Sequence, residues 1–167
     1  MSSLDNHVTL RRADVDGCTV IEQMMQFYMY DLSQWYPLVL NESGMYTLSP
    51  KADYWADAAT IPYLIDVNDE LAGFAVVDGD RIDQQTDFNL GYFFIMPRYR
   101  GQGVGKAAFQ QIVQRHIGLW EIYFLSQNQL AAHFWPNAIQ MVTGHEVMGT
   151  ECVIHDYPST LFRFVVV

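Results

Sequence analysis

Apolar and polar residues follow two periods along the chain, and each change of period separates a predicted strand from a predicted helix. Alternating or uniformly apolar runs predict strands at residues 7–12, 61–67, 71–77, 88–96, 120–125, 145–154 and 160–167. Apolar residues at helical spacing predict helices at residues 18–35, 50–59, 103–116 and 128–141. Asn68 and Asp69 between two strands predict a hairpin turn, and Pro136 predicts an interruption or bend in the last helix.

The order of these elements predicts the fold class. A strand–helix–strand unit spans residues 88–125, and antiparallel strands are expected on both sides of it. Such a chain forms a mixed α/β sheet flanked by helices. We find no internal repeat, low-complexity tract or linker, and 167 residues are too few for two domains of ordinary size. We therefore expect a single domain over residues 1–167.

The charge balance limits the partners of the protein. The chain has 19 Asp and Glu residues against 9 Lys and Arg residues, which gives a net charge of −10 with neutral histidines. Nucleic acid usually meets a basic surface, so we exclude it as a partner. A cationic amine is a compatible substrate, although acidity can also serve solubility alone.

Membrane, secreted and metal-binding classes are disfavoured as well. No stretch approaches the ~20 apolar residues of a membrane helix. Residues 1–7 lack the basic region and apolar run of a secretory signal. Cys18, Cys152 and the five histidines show no metal-ligand spacing. We expect a cytoplasmic protein without a metal centre.

A glycine-rich segment at residues 100–106, Arg-Gly-Gln-Gly-Val-Gly-Lys, connects a predicted strand to a predicted helix. Its three glycines remove side chains where the helix begins, so a ligand can approach the first backbone N–H groups. These donors and the helix dipole favour an anion such as a diphosphate. Arg98, Arg100 and Lys106 form the densest basic cluster in an otherwise acidic chain.

Two nucleotide-binding motifs match this segment poorly. A triphosphate-binding loop needs a glycine and a Ser or Thr where the chain has Arg100 and Ala107. A dinucleotide-binding loop is matched in relaxed form over residues 103–108. However, it expects an acidic residue about 20 positions later, where residues 126–128 are Ser-Gln-Asn.

A third motif matches better. Residues 96–105, Met-Pro-Arg-Tyr-Arg-Gly-Gln-Gly-Val-Gly, closely resemble the coenzyme A loop of the GNAT superfamily of N-acetyltransferases. The core of that loop is Arg or Gln, two residues, Gly, one residue, then Gly or Ala, and Arg100, Gly103 and Gly105 satisfy it. The order of elements over most of the chain also matches. The resemblance implies a mixed, mostly antiparallel sheet of about seven strands with about four flanking helices and a splayed parallel strand pair at the cofactor cleft.

The resemblance also implies acetyl-coenzyme A as the co-substrate. Backbone groups at the end of the strand before the loop would pair with the pantetheine arm like an added strand, and the loop would surround the pyrophosphate. Asn128 matches an asparagine that commonly contacts the cofactor in this family. The implied cofactor-binding residues are Phe94, Ile95, Met96, Arg100, Gly101, Gln102, Gly103, Val104, Gly105, Lys106 and Asn128.

Two positions depart from the family pattern where catalytic groups are expected. The family often has a tyrosine seven residues after the asparagine, which protonates the departing thiolate, and this chain has Trp135 there. An indole N–H donates a hydrogen bond but is not a proton acid. The strand position where related enzymes often carry a glutamate base corresponds to Asn89, and Asp87 is the nearest carboxylate.

Another candidate carboxylate, Asp31, lies among aromatic residues near the end of the first predicted helix. In the family this region helps to wall the acceptor site, and an acidic group among aromatic rings could hold an ammonium by charge and cation–π contacts. The alternative is that the aromatic residues are core packing and that Asp31 is solvated. The candidate catalytic residues are therefore Asp31, Asp87 and Trp135, and the candidate substrate-binding residues are Tyr28, Asp31, Trp35 and Asn89.

The first hypothesis is an acyl-coenzyme A-dependent N-acyltransferase that moves acetyl directly from acetyl-coenzyme A to a primary amine of a small molecule or peptide. A base or a water chain must then take a proton from the amine. The alternative hypothesis is a coenzyme A-binding sensor or regulatory module with weak or no catalysis, which Trp135 and Asn89 favour. We expect no nucleic acid or membrane partner, and a homodimer is compatible with either hypothesis.

Overall fold

The computed structural model describes residues 6–167, and these residues form the predicted order of strands and helices. The strands are β1 (Val8–Arg12), β2 (Ile61–Val67), β3 (Glu70–Asp78), β4 (Phe88–Ile95), β5 (Gly118–Leu125), β6 (Thr150–Ile154) and β7 (Tyr157–Val166). The helices are α1 (Val15–Leu32), α2 (Ala52–Ala56), α3 (Val104–Arg115) and α4 (Gln129–Thr143). Residues 1–5, part of the segment in which we found no secretory signal, lie outside the described residues.

The seven strands make one mixed sheet in the order β1-β2-β3-β4-β5-β7-β6. Neighbouring strands are antiparallel except for β4 and β5, which are parallel. This parallel pair is short, because only Phe88–Trp120 and Asn89–Glu121 are partners. The remaining residues of β4 and β5 are not paired with each other, so the sheet opens towards the carboxyl ends of these two strands. The predicted mixed, mostly antiparallel fold is confirmed.

Helices cover both faces of the sheet and define two apolar clusters. On one face, α3 and α4 contribute Phe109, Ile112 and Ile139 to the larger cluster. On the other face, α1 contributes Ile21 and Met25 to the smaller one. Burial of these side chains stabilises the sheet between two helical layers.

The bounds of α1 differ from the predicted 18–35. The helix begins at Val15 because Asp14 caps it, its Oδ1 accepting the Gly17 N–H at 2.8 Å. It ends at Leu32, before Pro37. Two side chains after the helix bond its last carbonyl groups: Ser33 Oγ donates to Tyr30 O at 2.6 Å, and Gln34 Nε2 donates to Asp31 O at 2.9 Å. Such local bonds compete with continuation of the helix.

The last helix is continuous through Pro136, so the predicted interruption is wrong. Proline cannot donate to the carbonyl four residues earlier. Asn137 supplies a side-chain donor nearby, its Nδ2 bonding His133 O at 3.1 Å. The helix therefore runs unbroken from its cap at Asn128 to Gly144.

Candidate functional site

A cleft of about 490 Å³ lies at the open end of the sheet, between the end of β4 and the first turns of α3 and α4. It brings together most of the predicted cofactor-binding residues with Tyr28, Asp31 and Trp35 from the region of α1. The predicted members that line it are Tyr28, Asp31, Trp35, Phe94, Ile95, Arg100, Gly101, Gly103, Gly105, Lys106, Asn128 and Trp135.

The glycine loop holds the first turn of α3 open to this cleft. Gly101 and Gly103 have φ angles of 72° and 81°, a left-handed conformation that other residues rarely adopt. Gly103 is the N-cap of α3 and offers no capping side chain. The first helical bond of α3 is Ala107 N–H to Gly103 O at 3.0 Å. The N–H groups of the three preceding residues therefore have no partner within the helix.

Two glycines of the loop face open space. A Cβ atom built on Gly101 or Gly103 would have no neighbouring heavy atom within 4 Å. Gly105 differs, because a Cβ there would lie 3.0 Å from the ring of Phe134 on α4. Gly101 and Gly103 thus leave the loop surface open, while Gly105 lets α3 and α4 approach each other.

The backbone of β4 presents alternate residues to the cleft. Met96 N–H donates to Ala72 O of β3 at 2.8 Å. Backbone groups in an antiparallel pair alternate in direction, so those of Phe94 also face β3. The N–H and C=O groups of Phe93 and Ile95 point to the opposite side, which β5 leaves open. The sequence prediction named Phe94, Ile95 and Met96, and the backbone groups on the open side of β4 belong to Phe93 and Ile95.

Arg100 connects the loop to α1 and to β4. Its Nε donates to Ile95 O at 2.7 Å, and its guanidinium group forms an ion pair with Asp31. The guanidinium carbon also lies 5.5 Å from the ring centroid of Phe94. The Asp31 carboxylate is therefore paired with Arg100, and its side chain is 26% exposed. The two residues are 69 positions apart in the chain.

Tyr28 and Trp35 line the α1 side of the cleft. The Tyr28 ring packs edge-on against Phe94 at 6.4 Å and Tyr92 at 5.6 Å between centroids. Burial raises the pKa of Tyr28 to about 12. Trp35 also lines a smaller cavity of about 130 Å³ beside Tyr157. The sequence left open whether Tyr28 is a core residue or lines the acceptor site. In the structure one side of its ring packs in the core and another faces the cleft.

The remaining cofactor candidates have local structural roles as well. Asn128 caps α4, its Oδ1 accepting the Ala131 N–H at 3.0 Å. Gln102 Nε2 donates to Arg98 O at 2.7 Å and stabilises the exposed loop. Val104 is buried beneath the first turn of α3. Lys106 is exposed at the edge of the cleft and adds positive charge near the open N–H groups.

A family model for the acetyltransferase (GNAT) family matches residues 26–137. The match includes the glycine loop, β4, α3, β5 and most of α4. The chain belongs to the acetyltransferase (GNAT) family. Members of this family use an acyl-coenzyme A, and the cleft with its open helix terminus is in the matched part of the chain.

Solved structures of this family share the fold. A spermidine N-acetyltransferase from Vibrio cholerae, in complex with coenzyme A and spermine, has a TM-score of 0.66 at 9% identity and covers 95% of both chains. An acetyltransferase from Thermus thermophilus has a TM-score of 0.62 at 11% identity and covers 95% of this chain and 97% of its own. The ribosomal-protein-S18-alanine N-acetyltransferase from Escherichia coli has a TM-score of 0.56 at 10% identity, with coverage of 96% and 94%. No curated protein sequence matches this family member.

Trp135 occupies a core position beside the cleft. Its ring packs against Phe93 and Phe109 at 5.2 Å and against Phe134 at 4.8 Å between centroids. The side chain is almost fully buried, although it contributes to the lining of the cleft. These contacts account for an aromatic residue at this position, where the family often has a tyrosine.

Two candidates lie away from the cleft. Asp87 precedes β4 at the end far from the glycine loop, and its Oδ2 accepts the Leu119 N–H at 2.8 Å. Asn89 is completely buried and donates from Nδ2 to Asp78 Oδ1 at 2.7 Å. Neither residue lines the cleft. Sequence reasoning missed Phe93 and Phe134, which do line it, because apolar residues in a strand and a helix are indistinguishable from core residues by pattern.

Two further observations concern membranes and metals. Over residues 6–167 we find no helix with the length and apolar character needed to span a bilayer. The same residues contain no group of three His, Cys, Asp or Glu side chains placed to hold a metal ion.

Proposed function

We propose that this GNAT family member is an acyl-coenzyme A-dependent N-acyltransferase that moves acetyl from acetyl-coenzyme A directly to a primary amine of a small molecule or peptide. The observation that carries the proposal is the uncapped first turn of α3 behind Gly101 and Gly103, open to the cleft. An uncapped helix N-terminus favours an anion, which supports a co-substrate that carries phosphate groups.

The cleft supports a definite arrangement of the co-substrate. The N–H groups of Val104, Gly105 and Lys106 would donate to the pyrophosphate, with the Lys106 ammonium nearby. The cleft-facing backbone of Phe93 and Ile95 would bond the amides of the pantetheine arm as a strand does. In this arrangement the thioester lies between the carboxyl ends of β4 and β5, next to Tyr28.

Acyl transfer then requires three events. The amine nitrogen forms a bond to the thioester carbon, the carbon–sulfur bond breaks, and a proton leaves the nitrogen. A backbone N–H of β4 can stabilise the negative charge that develops on the carbonyl oxygen. Trp135 offers only an N–H donor to the departing sulfur, so solvent rather than this residue would supply its proton.

The proposal covers more than one class of amine acceptor. The named relatives act on spermidine and on a protein alanine, which span a small polyamine and a peptide terminus. The aromatic wall of Tyr28 and Trp35 suits the apolar stem of an amine, and the acidic chain suits its charge.

The direct test is the release of free thiol from acetyl-coenzyme A across a panel of acceptors. The panel contains a polyamine, free amino acids, an aminoglycoside, a lysine peptide and a peptide with a free N-terminus. The same peptide with a blocked terminus and no lysine is the matched control. Acceptor-dependent thiol release and a mass increase of one acetyl group on the acceptor support the proposal. Tight coenzyme A binding without acceptor-dependent release would instead support the sensor hypothesis.

A further inference from the structure

A buried carboxylate lies behind the aromatic wall of the cleft. Asp78, the last residue of β3, is 3% exposed. It accepts three hydrogen bonds: from Tyr54 Oη at 2.6 Å, from Asn89 Nδ2 at 2.7 Å and from Asp80 N–H at 3.1 Å. Because all three partners donate, the arrangement fits the ionised carboxylate, which can only accept.

The neighbouring strand makes room for this carboxylate. A Cβ atom on Gly91 of β4 would collide with Asp78 Oδ2. The register of β3 and β4 shifts at the same place, between Val76 and Val77. Gly91 therefore lies at a β-bulge and at a close approach to Asp78, both of which favour glycine in a strand. Asp78 and Asn89 are direct register partners, so the carboxylate lies next to the position where the family often has a glutamate.

A continuous set of tyrosines joins the cleft to Asp78. Tyr28 lines the cleft, and its ring lies 5.6 Å from that of Tyr92. The Tyr92 ring lies 6.2 Å from that of Tyr54, whose hydroxyl bonds Asp78. Tyr54 is half-buried and does not itself line the cleft, so the route from the cleft to its hydroxyl group runs past Tyr28 and Tyr92.

Resting on the proposed function, we propose that Tyr54 and Asp78 form the pair that accepts the proton of the acceptor amine. An N–H bond of the amine breaks, and its proton passes along bridging waters beside Tyr28 and Tyr92 to Tyr54 Oη. At the same time the Tyr54 O–H bond breaks, and that proton forms a new bond to Asp78 Oδ2. Tyr54 is the catalytic residue of the pair and Asp78 is a positioning residue that acts through it. The proton returns to solvent by the reverse path.

The groups that face Asp78 suit this role. Tyr28 from α1, Tyr92 from β4 and Tyr123 from β5 are neutral phenols, and Asp80 is the nearby carboxylate on the same turn. Burial raises the pKa of Asp78 above its ordinary value, which makes it a stronger proton acceptor. Burial and the charge of Asp78 also raise the pKa of Tyr54, which keeps its hydroxyl protonated and ready to donate.

Other charges on this face of the sheet are already paired. Glu121 of β5 is fully buried and accepts from the Ile82 and Asp83 N–H groups, and Arg163 forms an ion pair with it. It holds the loop after β3 against the sheet. Asn89 Oδ1 is buried without a hydrogen-bond partner in the described chain. Asn89 therefore contributes its N–H to Asp78 while its own oxygen stays unpaired, which is unusual for a purely structural residue.

The experiment compares Tyr54→Phe and Asp78→Asn with two matched controls, Tyr30→Phe and Asp53→Asn. Tyr30 is exposed on α1, and Asp53 is exposed on α2 beside Tyr54. Rates are measured against pH with a strongly basic amine that is an acceptor of the wild type, and with a weakly basic aromatic amine that is neutral at pH 7. Coenzyme A affinity and melting temperature are measured for every variant.

For the basic amine at pH 7 we expect kcat to fall by about 100-fold or more in both variants, as for loss of a general base. The loss should shrink as the pH rises towards the pKa of the amine, because free amine needs no base before it attacks the thioester. With the weakly basic amine the loss should stay below about ten-fold. Coenzyme A affinity should be unchanged, and both controls should match the wild type.

Three outcomes distinguish failure of the inference from failure of the proposed function. If Tyr54→Phe binds coenzyme A normally and keeps the wild-type rate and pH profile, the pair is not the proton acceptor, while the proposed function stands. An equal loss for both amines at every pH would mean a structural role and would also overturn the inference. If the wild type releases no thiol with any amine, the proposed function fails, and the inference fails with it. Tyr54→Phe removes a single oxygen atom, so it still tests the inference if Asp78→Asn does not fold.

Discussion

Replacing Gly103 by valine adds a side chain at a single residue of the proposed pyrophosphate site. Gly103 has a φ of 81° and no heavy atom within 4 Å of a built Cβ, so the new side chain meets no protein atom in its path. The loss of folding stability is only that of a left-handed backbone with a Cβ, about 1–2 kcal/mol. For a chain of this size that lowers the melting temperature by roughly 2–8 °C.

We expect a larger loss of binding energy, because Gly103 is the N-cap of α3 and a valine there adds a side chain to the loop that we assign to the pyrophosphate. A hydrogen bond from an N–H to a charged group is worth about 1.5–3 kcal/mol. Losing two of the three donors of Val104, Gly105 and Lys106 therefore removes about 3–6 kcal/mol of coenzyme A affinity. The expected effect is a rise in Kd of more than about 100-fold.

Isothermal titration of coenzyme A measures this effect, and Gly144→Val is the matched control. Gly144 has a φ of 79°, also with no heavy atom within 4 Å of a built Cβ. It is the C-cap of α4, at the end of the helix away from the cleft. Both variants should lose similar stability, and only Gly103→Val should lose affinity. If the two variants bind coenzyme A equally well, the assignment of the loop to the pyrophosphate is refuted.

Three further predictions concern the walls of the cleft. Asp31→Asn removes the partner of Arg100 and is expected to weaken coenzyme A binding by about five-fold, in line with about 1 kcal/mol for a partly exposed pair, while the KM of the amine changes little. Titration and steady-state kinetics distinguish this from a rise in amine KM alone, which would place the ammonium at Asp31. Trp135→Ala leaves a cavity between aromatic rings and should lower the free energy of unfolding by about 3–5 kcal/mol in urea, and a loss below about 1 kcal/mol would contradict the packing described. Burial raises the pKa of Tyr28 and Tyr123 to about 12, against about 10 in the unfolded chain. These two groups contribute their full stabilisation below about pH 10, and this contribution should be lost as the pH rises from about 10 to about 12. Urea unfolding at alkaline pH measures the loss. A free energy of unfolding that stays constant over that range would contradict the expectation.

Features that depend on neighbouring residues in sequence were predictable. The glycine loop specifies an open helix terminus within a few residues, and α3 begins within one residue of its predicted start. Asn68 and Asp69 adopt φ angles of 52° and 66°, as a tight hairpin turn requires, and β2 ends at its predicted residue. In each case the backbone conformation follows from residue types that are contiguous in the chain.

Features that depend on pairing across the fold were not predictable in the same way. The ion pair of Arg100 joins residues 69 positions apart, and no local pattern indicates it. Which backbone groups of β4 face the cleft depends on the hydrogen-bonding phase with β3, because a shift of one residue exchanges the two sides. The sequence therefore identified the end of β4 that borders the cleft, and the strand pairing shows which of its backbone groups face away from β3.

Asp78 illustrates why the residue type at one sequence position does not by itself predict whether the site contains a base. A proton acceptor needs a carboxylate at a point in space, and in an antiparallel pair two register partners reach nearly the same point. Asp78 and Asn89 are such partners, so an aspartate on β3 with an asparagine on β4 can replace a glutamate on β4. Asn89 by itself suggested a chain without a base. With Asp78 beside it and Tyr54 towards solvent, the same asparagine is instead a donor that keeps a buried carboxylate in place. The amine-specific loss of rate in Tyr54→Phe decides between these two interpretations.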